Sequence, residues 1–90
     1  MIEKVYPKNE KYSVRSDGTI LNKAGIPLHP DMSSGKPRVT LSEKGHRNRL
    51  LVSRIVAETY FEDVTDDDWI CHRDKNPCNN SVYNLMIKKR

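Results

Sequence analysis

The chain has 90 residues, of which 36% are apolar and 31% charged. That allows one small domain with a thin core, because a fold of this size hides only about 60% of the surface of its unfolded chain. It excludes a membrane span: no apolar run approaches the roughly 20 residues required, and the opening MIEKVYPKNE holds no apolar core of signal-peptide length. A cytoplasmic protein is expected, and in that compartment two cysteines do not read as a disulfide scaffold.

The formal charge of +4 is unevenly distributed. Lys36, Arg38, Lys44, Arg47, Arg49 and Arg54 face a single acid, Glu43, between residues 36 and 56. Glu58, Glu62, Asp63, Asp66, Asp67 and Asp68 then follow without a base, and Arg73, Lys75, Lys88, Lys89 and Arg90 restore positive charge against Asp74. Two basic surfaces joined by an acidic connector fit contact with nucleic acid. The acidic run itself reads as ordinary solvation.

In chain order, Tyr12-Ser13-Val14-Arg15 alternates as a strand does and is followed by Asp17-Gly18 and then Thr19-Ile20-Leu21-Asn22. Asp-Gly between β-prone runs predicts a hairpin, because glycine accepts the positive φ of the turn. Residues 23–37 hold Gly25, Pro27, Pro30, Gly35 and Pro37 and are predicted to be loop. A second hairpin is predicted from Arg38–Ser42 and Arg47–Val52 around Glu43-Lys44-Gly45-His46. Val39, Leu41, Leu50 and Val52 would face the core, which puts Arg38, Thr40, Arg47 and Arg49 on the other face. A ribbon of this kind fits a DNA major groove. Ser53 is placed to cap a short helix ending near Phe61, with Ile55, Val56, Thr59 and Tyr60 on its core face and Arg54 and Glu58 at i, i+4. Thr65–Asp68 suggests one helical turn, Trp69–His72 a strand, Arg73–Ser81 a polar loop, and Tyr83–Ile87 a turn leading into a strand. Trp69, Tyr60 and Phe61 are assigned to the core.

The segment W-I-C-H-R-D-K-N-P-C-N-N-S-V-Y-N-L-M-I, residues 69–87, carries the densest chemistry. It resembles the first part of the HNH motif of phage and intron-type homing endonucleases. The runs around Tyr12–Gly18, Pro37–Leu41 and Leu51–Glu58 resemble the module that precedes that motif. The resemblance implies residues 1–61 as the N-terminal module and residues 62–90 as a truncated HNH-like ββ segment packed with it as one unit. The fold class expected is α+β: a small domain of two antiparallel hairpins, one short helix and a C-terminal ββ remnant of a ββα-metal unit.

The resemblance further implies His72 as the base that activates water, and Asp74, Asn79, Asn80 and Asn84 as residues that hold the loop. It implies a divalent cation in an active member, Mg2+ or Mn2+. Cys71 stands where the family often has an acidic ligand, and a thiol suits magnesium poorly. The chain also stops at Arg90, before the helix that supplies the other ligand. No cofactor and no metal site are therefore expected. A zinc site from Cys71, His72 and Cys78 is disfavoured, since neighbouring strand residues point to opposite faces.

Three functions follow, in order. The first is a nucleic-acid-binding protein that has kept the basic ribbon and lost cleavage, contacting DNA through Lys36, Arg38, Lys44, Arg47, Arg49, Arg54, Arg73 and Lys75. The second is a repurposed inhibitor that binds a bacterial host enzyme or defence complex. The third is a metal-dependent endonuclease completed by oligomerisation. All three fit the cytoplasm of a bacterial host, and the sequence leaves the oligomeric state open.

Overall fold

Both hairpins form where turn chemistry directs them. The computed structural model describes residues 2–89, so Arg90, counted above among the bases, lies outside the described residues. Strand β2 (Ser13–Arg15) pairs antiparallel with β3 (Ile20–Leu21), and Gly18 supplies a φ of +95° in the turn. Strand β4 (Arg38–Glu43) pairs with β5 (His46–Leu51) around Lys44-Gly45, both at positive φ as a tight hairpin turn requires. The intervening residues are largely loop, with isolated bridges Leu21↔Pro27 and Asp31↔Arg38.

A strand not foreseen, β1 (Glu3–Val5), adds to β2 and makes that sheet three-stranded in the order β1-β2-β3. Its residues are all exposed, so no alternation of apolar and polar side chains marks it. Pairing with the β2 edge creates it.

The helix α1 (Val52–Tyr60) departs from expectation at its start. Leu51 is the N-cap, without a side-chain cap hydrogen bond, and Ser53 is buried inside the first turn. Val52 belongs to the helix rather than to β5, and its N–H donates to the Pro37 carbonyl at 3.0 Å. A carbonyl from an adjacent segment thus satisfies one of the free N–H groups at the start of the helix. Arg54 and Glu58 do not pair along the helix. Arg54 donates to the Asp68 and Thr65 carbonyls at 2.9 and 2.7 Å. Glu58 accepts from the Tyr6 hydroxyl at 2.7 Å and from Lys8 at 2.5 Å.

Beyond α1, Thr65 and Asp68 close a turn on each other instead of a helical turn. The Thr65 N–H donates to Asp68 Oδ2 and the Asp68 N–H to the Thr65 carbonyl. Strand β6 (Trp69–His72) then pairs with β7 (Leu85–Lys88), which follows a 3-10 turn at Val82–Asn84.

The core gathers Tyr6, Tyr12, Val14, Ile20, Val39, Leu41, Val52, Ile55, Val56 and Leu85. Ile55 and Val56 are fully shielded, and each such side chain contributes roughly 1.5–3 kcal/mol by leaving water. The Tyr12 hydroxyl accepts the Ser42 N–H at 2.9 Å, joining the first sheet to the ribbon. Trp69, assigned above to the core, is instead 57% exposed. On the β6–β7 pair it shares an outward face with Cys71, Met86 and Lys88, while His72, Ile70, Leu85 and Ile87 share the other. The fold is α+β. No helix among the described residues is long and apolar enough to cross a membrane.

Candidate functional site

The β4–β5 register puts Thr40 opposite Arg49 and Ser42 opposite Arg47, with Arg38 opposite Leu51. Period-two alternation therefore collects Arg38, Thr40, Ser42, Arg47, Arg49 and Leu51 on one face. Val39, Leu41 and Leu50 take the other face and turn toward the core. Arg47 and Arg49 are exposed and Arg38 is half-buried.

Two of these arginines are held by the 31–36 loop. The Asp31 and Arg38 backbones exchange hydrogen bonds of 2.7 and 3.0 Å, which brings the loop alongside β4. Arg49 ion-pairs with the Asp31 carboxylate. Arg38 Nε donates to the Ser34 hydroxyl at 3.0 Å. The Ser33 N–H and hydroxyl, and then Arg49, hold the Asp31 carboxyl below its ordinary range.

At its α1 end the ribbon face opens, through Leu51, into a cleft of about 430 Å³. Lys36, Ser53, Arg54, Trp69, Ile70 and His72 line it together with Asp66, Asp67 and Asp68. The acids are partly answered: Lys89 donates to Asp68 at 2.7 Å and Lys8 reaches Asp66 at 3.4 Å. Lys89 above all, with the Thr65 N–H, holds the Asp68 carboxyl low. The structure thus brings Lys36, Arg54 and His72 together and sets Arg38, Arg47 and Arg49 on the adjoining face. Lys44 lies away from them at the ribbon turn. Arg73 and Lys75 are exposed in the loop beyond His72, with Lys75 at a positive φ. Arg54 is committed to two main-chain carbonyls and serves the fold first.

The loop from His72 to Leu85 is organised around Asp74. Its carboxylate accepts from the Asn76 N–H at 2.8 Å and from the Asn79 and Asn84 amides at 2.9 Å each. Led by Asn79, these donors hold the Asp74 carboxyl below its ordinary range. Asn84 Nδ2 also donates to the Asn79 carbonyl at 2.8 Å, and Asn84 Oδ1 accepts the Asp74 N–H at 3.2 Å. The buried Asn80 lies 2.7 Å from His72 Nε2 through Oδ1 and donates to the Pro77 carbonyl at 3.1 Å through Nδ2. Asn76, not singled out from the sequence, caps the turn by accepting the Cys78 N–H at 3.0 Å. Its position two residues after Asp74 is an Asx-turn signal that could have found it.

A divalent cation does not fit the groups present. Among the described residues no three His, Cys, Asp or Glu side chains gather to hold one. Cys71 and Cys78 are free thiols. Cys71 shares the outward strand face with Trp69, opposite to that of His72, and a thiol is a poor partner for a hard cation.

No family model matches the chain. It is 30% identical over 79 residues to an uncharacterized HNH endonuclease of Acanthamoeba polyphaga mimivirus, a match that covers 86% of this chain and 24% of that protein. Among solved structures, that of DNA binding and cleavage by the HNH homing endonuclease I-HmuI matches with a TM-score of 0.88 at 27% identity, over 99% of this chain and 53% of that one. The chain thus spans about a quarter of the curated relative and about half of the solved one. By sequence and by fold, it is related to the HNH homing endonucleases.

Proposed function

We propose that this chain is a DNA-engaging unit of the HNH type, one that binds duplex DNA and does not by itself assemble a cleavage centre. The carrying observation is the β4–β5 register, which aligns Arg38, Thr40, Arg47 and Arg49 on one face that runs through Leu51 into the cleft of Lys36 and His72. Guanidinium groups on a ribbon can fork onto phosphates or base edges, and Thr40 and Ser42 add short polar contacts between them. The similar solved protein, I-HmuI, binds and cleaves DNA, which supports the same class of partner for this chain. The thiol at Cys71, a poor partner for a hard cation, supports binding over cleavage.

A control base off this face makes the proposal testable. Lys23 borders a separate depression with Pro7, Lys11 and Lys44. In a fluorescence-anisotropy titration of labelled duplex, Lys36→Ala and Arg38→Ala should each weaken binding several-fold while Lys23→Ala leaves it unchanged. Equal losses at Lys23 and at the ribbon would reduce the proposal to general charge attraction.

One second reading has specific support. His72 stands in the cleft beside its loop, and both relatives are HNH endonucleases. A metal-dependent nuclease completed by oligomerisation would then nick supercoiled plasmid with Mg2+ or Mn2+ and lose this with His72→Ala. Plasmid left intact across metals and protein concentrations removes this second reading.

A further inference from the structure

Gly18 lies in the turn of the first hairpin, 62 positions before Asn80, yet the two residues touch. A Cβ placed on Gly18 would fall 2.7 Å from the Asn80 carbonyl oxygen, 2.8 Å from its carbonyl carbon and 3.0 Å from its Cβ. Contacts that short with backbone leave no room for a side chain. Beside this contact, the Val82 N–H donates to the Ser16 carbonyl at 2.8 Å. The Gly18 turn is therefore seated directly on the loop that follows His72.

Asn80 passes this contact on to the imidazole. Its Nδ2 faces the Pro77 carbonyl, which can only accept, so the side-chain amide has one orientation: nitrogen toward Pro77, Oδ1 toward His72. The reversed amide would oppose two acceptors at 3.1 Å. His72 Nε2 must then carry the hydrogen that bridges the 2.7 Å to Asn80 Oδ1. In the neutral ring Nδ1 is left as the acceptor nitrogen.

We infer that the first hairpin is a positioning element for His72: Gly18, by close approach, seats Asn80, and Asn80 holds the imidazole as its Nε2–H tautomer with Nδ1 free to accept. Gly18 and Asn80 are positioning residues and act only through His72. The inference concerns the state of one ring, so it stands or falls independently of whether the ribbon binds DNA.

Long-range 1H–15N spectra of the histidine side chains in the full chain test it, with His72 identified by the signal lost in His72→Gln. The wild-type protein should show a protonated, pyrrole-type Nε2 and a bare, pyridine-type Nδ1 at pH values where the ring is neutral. Asn80→Ala should replace that pattern by an averaged one. Gly18→Ala should average it as well, whereas Gly25→Ala should not. Gly25 has a comparable φ of +80° but open space around its Cβ position, so it carries the backbone strain without the push. Should Gly18→Ala fail to fold, Gly18→Asn carries the same test, since asparagine tolerates the left-handed region better and still adds a Cβ. A wild-type ring protonated at Nδ1, an unchanged ring in Asn80→Ala, or equal effects of the Gly18 and Gly25 substitutions would overturn the inference.

Discussion

The polar face of the β4–β5 ribbon and the loop from His72 to Leu85 are both rich in hydrogen-bonding groups, but they use them in opposite ways. On the ribbon, Arg47 is exposed, Arg38 is held by the short side chain of Ser34, and Arg49 by those of Asp31 and Ser33. Most of their donors remain open to a partner. In the loop, Asp74, Asn79, Asn80 and Asn84 turn their amides and carboxylate inward on one another and on the backbone. One surface leaves its polar groups largely open to solvent, and the other satisfies them within the chain. The difference separates the surface proposed to meet DNA from a frame that holds one imidazole.

Breaking the shared core should erase the distinction, and it is the largest effect expected. Ile55 is fully buried at the centre of α1, and Ile55→Ala should cost about 2–5 kcal/mol, a large part of the stability of so small a domain. Ribbon and loop amides should then lose hydrogen-exchange protection together. Separate melting of the two would mean that they do not rest on one core.

Asn80→Ala should sharpen the contrast. It removes a buried amide that serves both His72 and the Pro77 carbonyl, and should cost about 1–3 kcal/mol. Exchange should quicken in the loop and stay as it was in β4 and β5.

Acidification should separate the regions more gently. The Asp74 carboxyl is held below its ordinary 3.8, first by Asn79 and then by the Asn76 N–H and Asn84. A depressed folded-state pKa means that its contribution is fully present above that value and is lost as pH falls through the lower, folded one. Loop amides should therefore loosen below about pH 4. Asp74→Asn should move this loss to neutral pH.

The smallest expected effect is on the ribbon itself. Asp31→Asn removes the anion paired with Arg49 and should tighten duplex binding by roughly two- to five-fold, the scale of an exposed ion pair. Weaker binding would mean that Asp31 orients Arg49 rather than competing for it.

Much of the ribbon was legible in the sequence because its causes are local. Lys44-Gly45 sets the turn, and strict alternation from Arg38 to Leu41 sorts side chains between faces. Strand β1 was not legible, because Glu3–Val5 carries no pattern and owes its conformation to β2. The start of α1 misled for a similar reason, since Val52 joins the helix with its N–H on the carbonyl of Pro37, a residue well back in the chain. In the candidate site, the spacing of Asp74, Asn79, Asn80 and Asn84 pointed to the loop only through its resemblance to a known motif. The seat of Gly18 on Asn80 joins residues far apart in sequence, and no local pattern encodes it.

The central claim, that the ribbon face meets DNA, is tested most directly by the salt dependence of duplex affinity in the wild type and in Arg47→Ala/Arg49→Ala. These side chains are exposed, so the double variant should keep its stability within about 0.5 kcal/mol. If both meet phosphates, the slope of log affinity against log salt should become shallower by roughly 2. A double variant with unchanged affinity and unchanged slope would contradict the account.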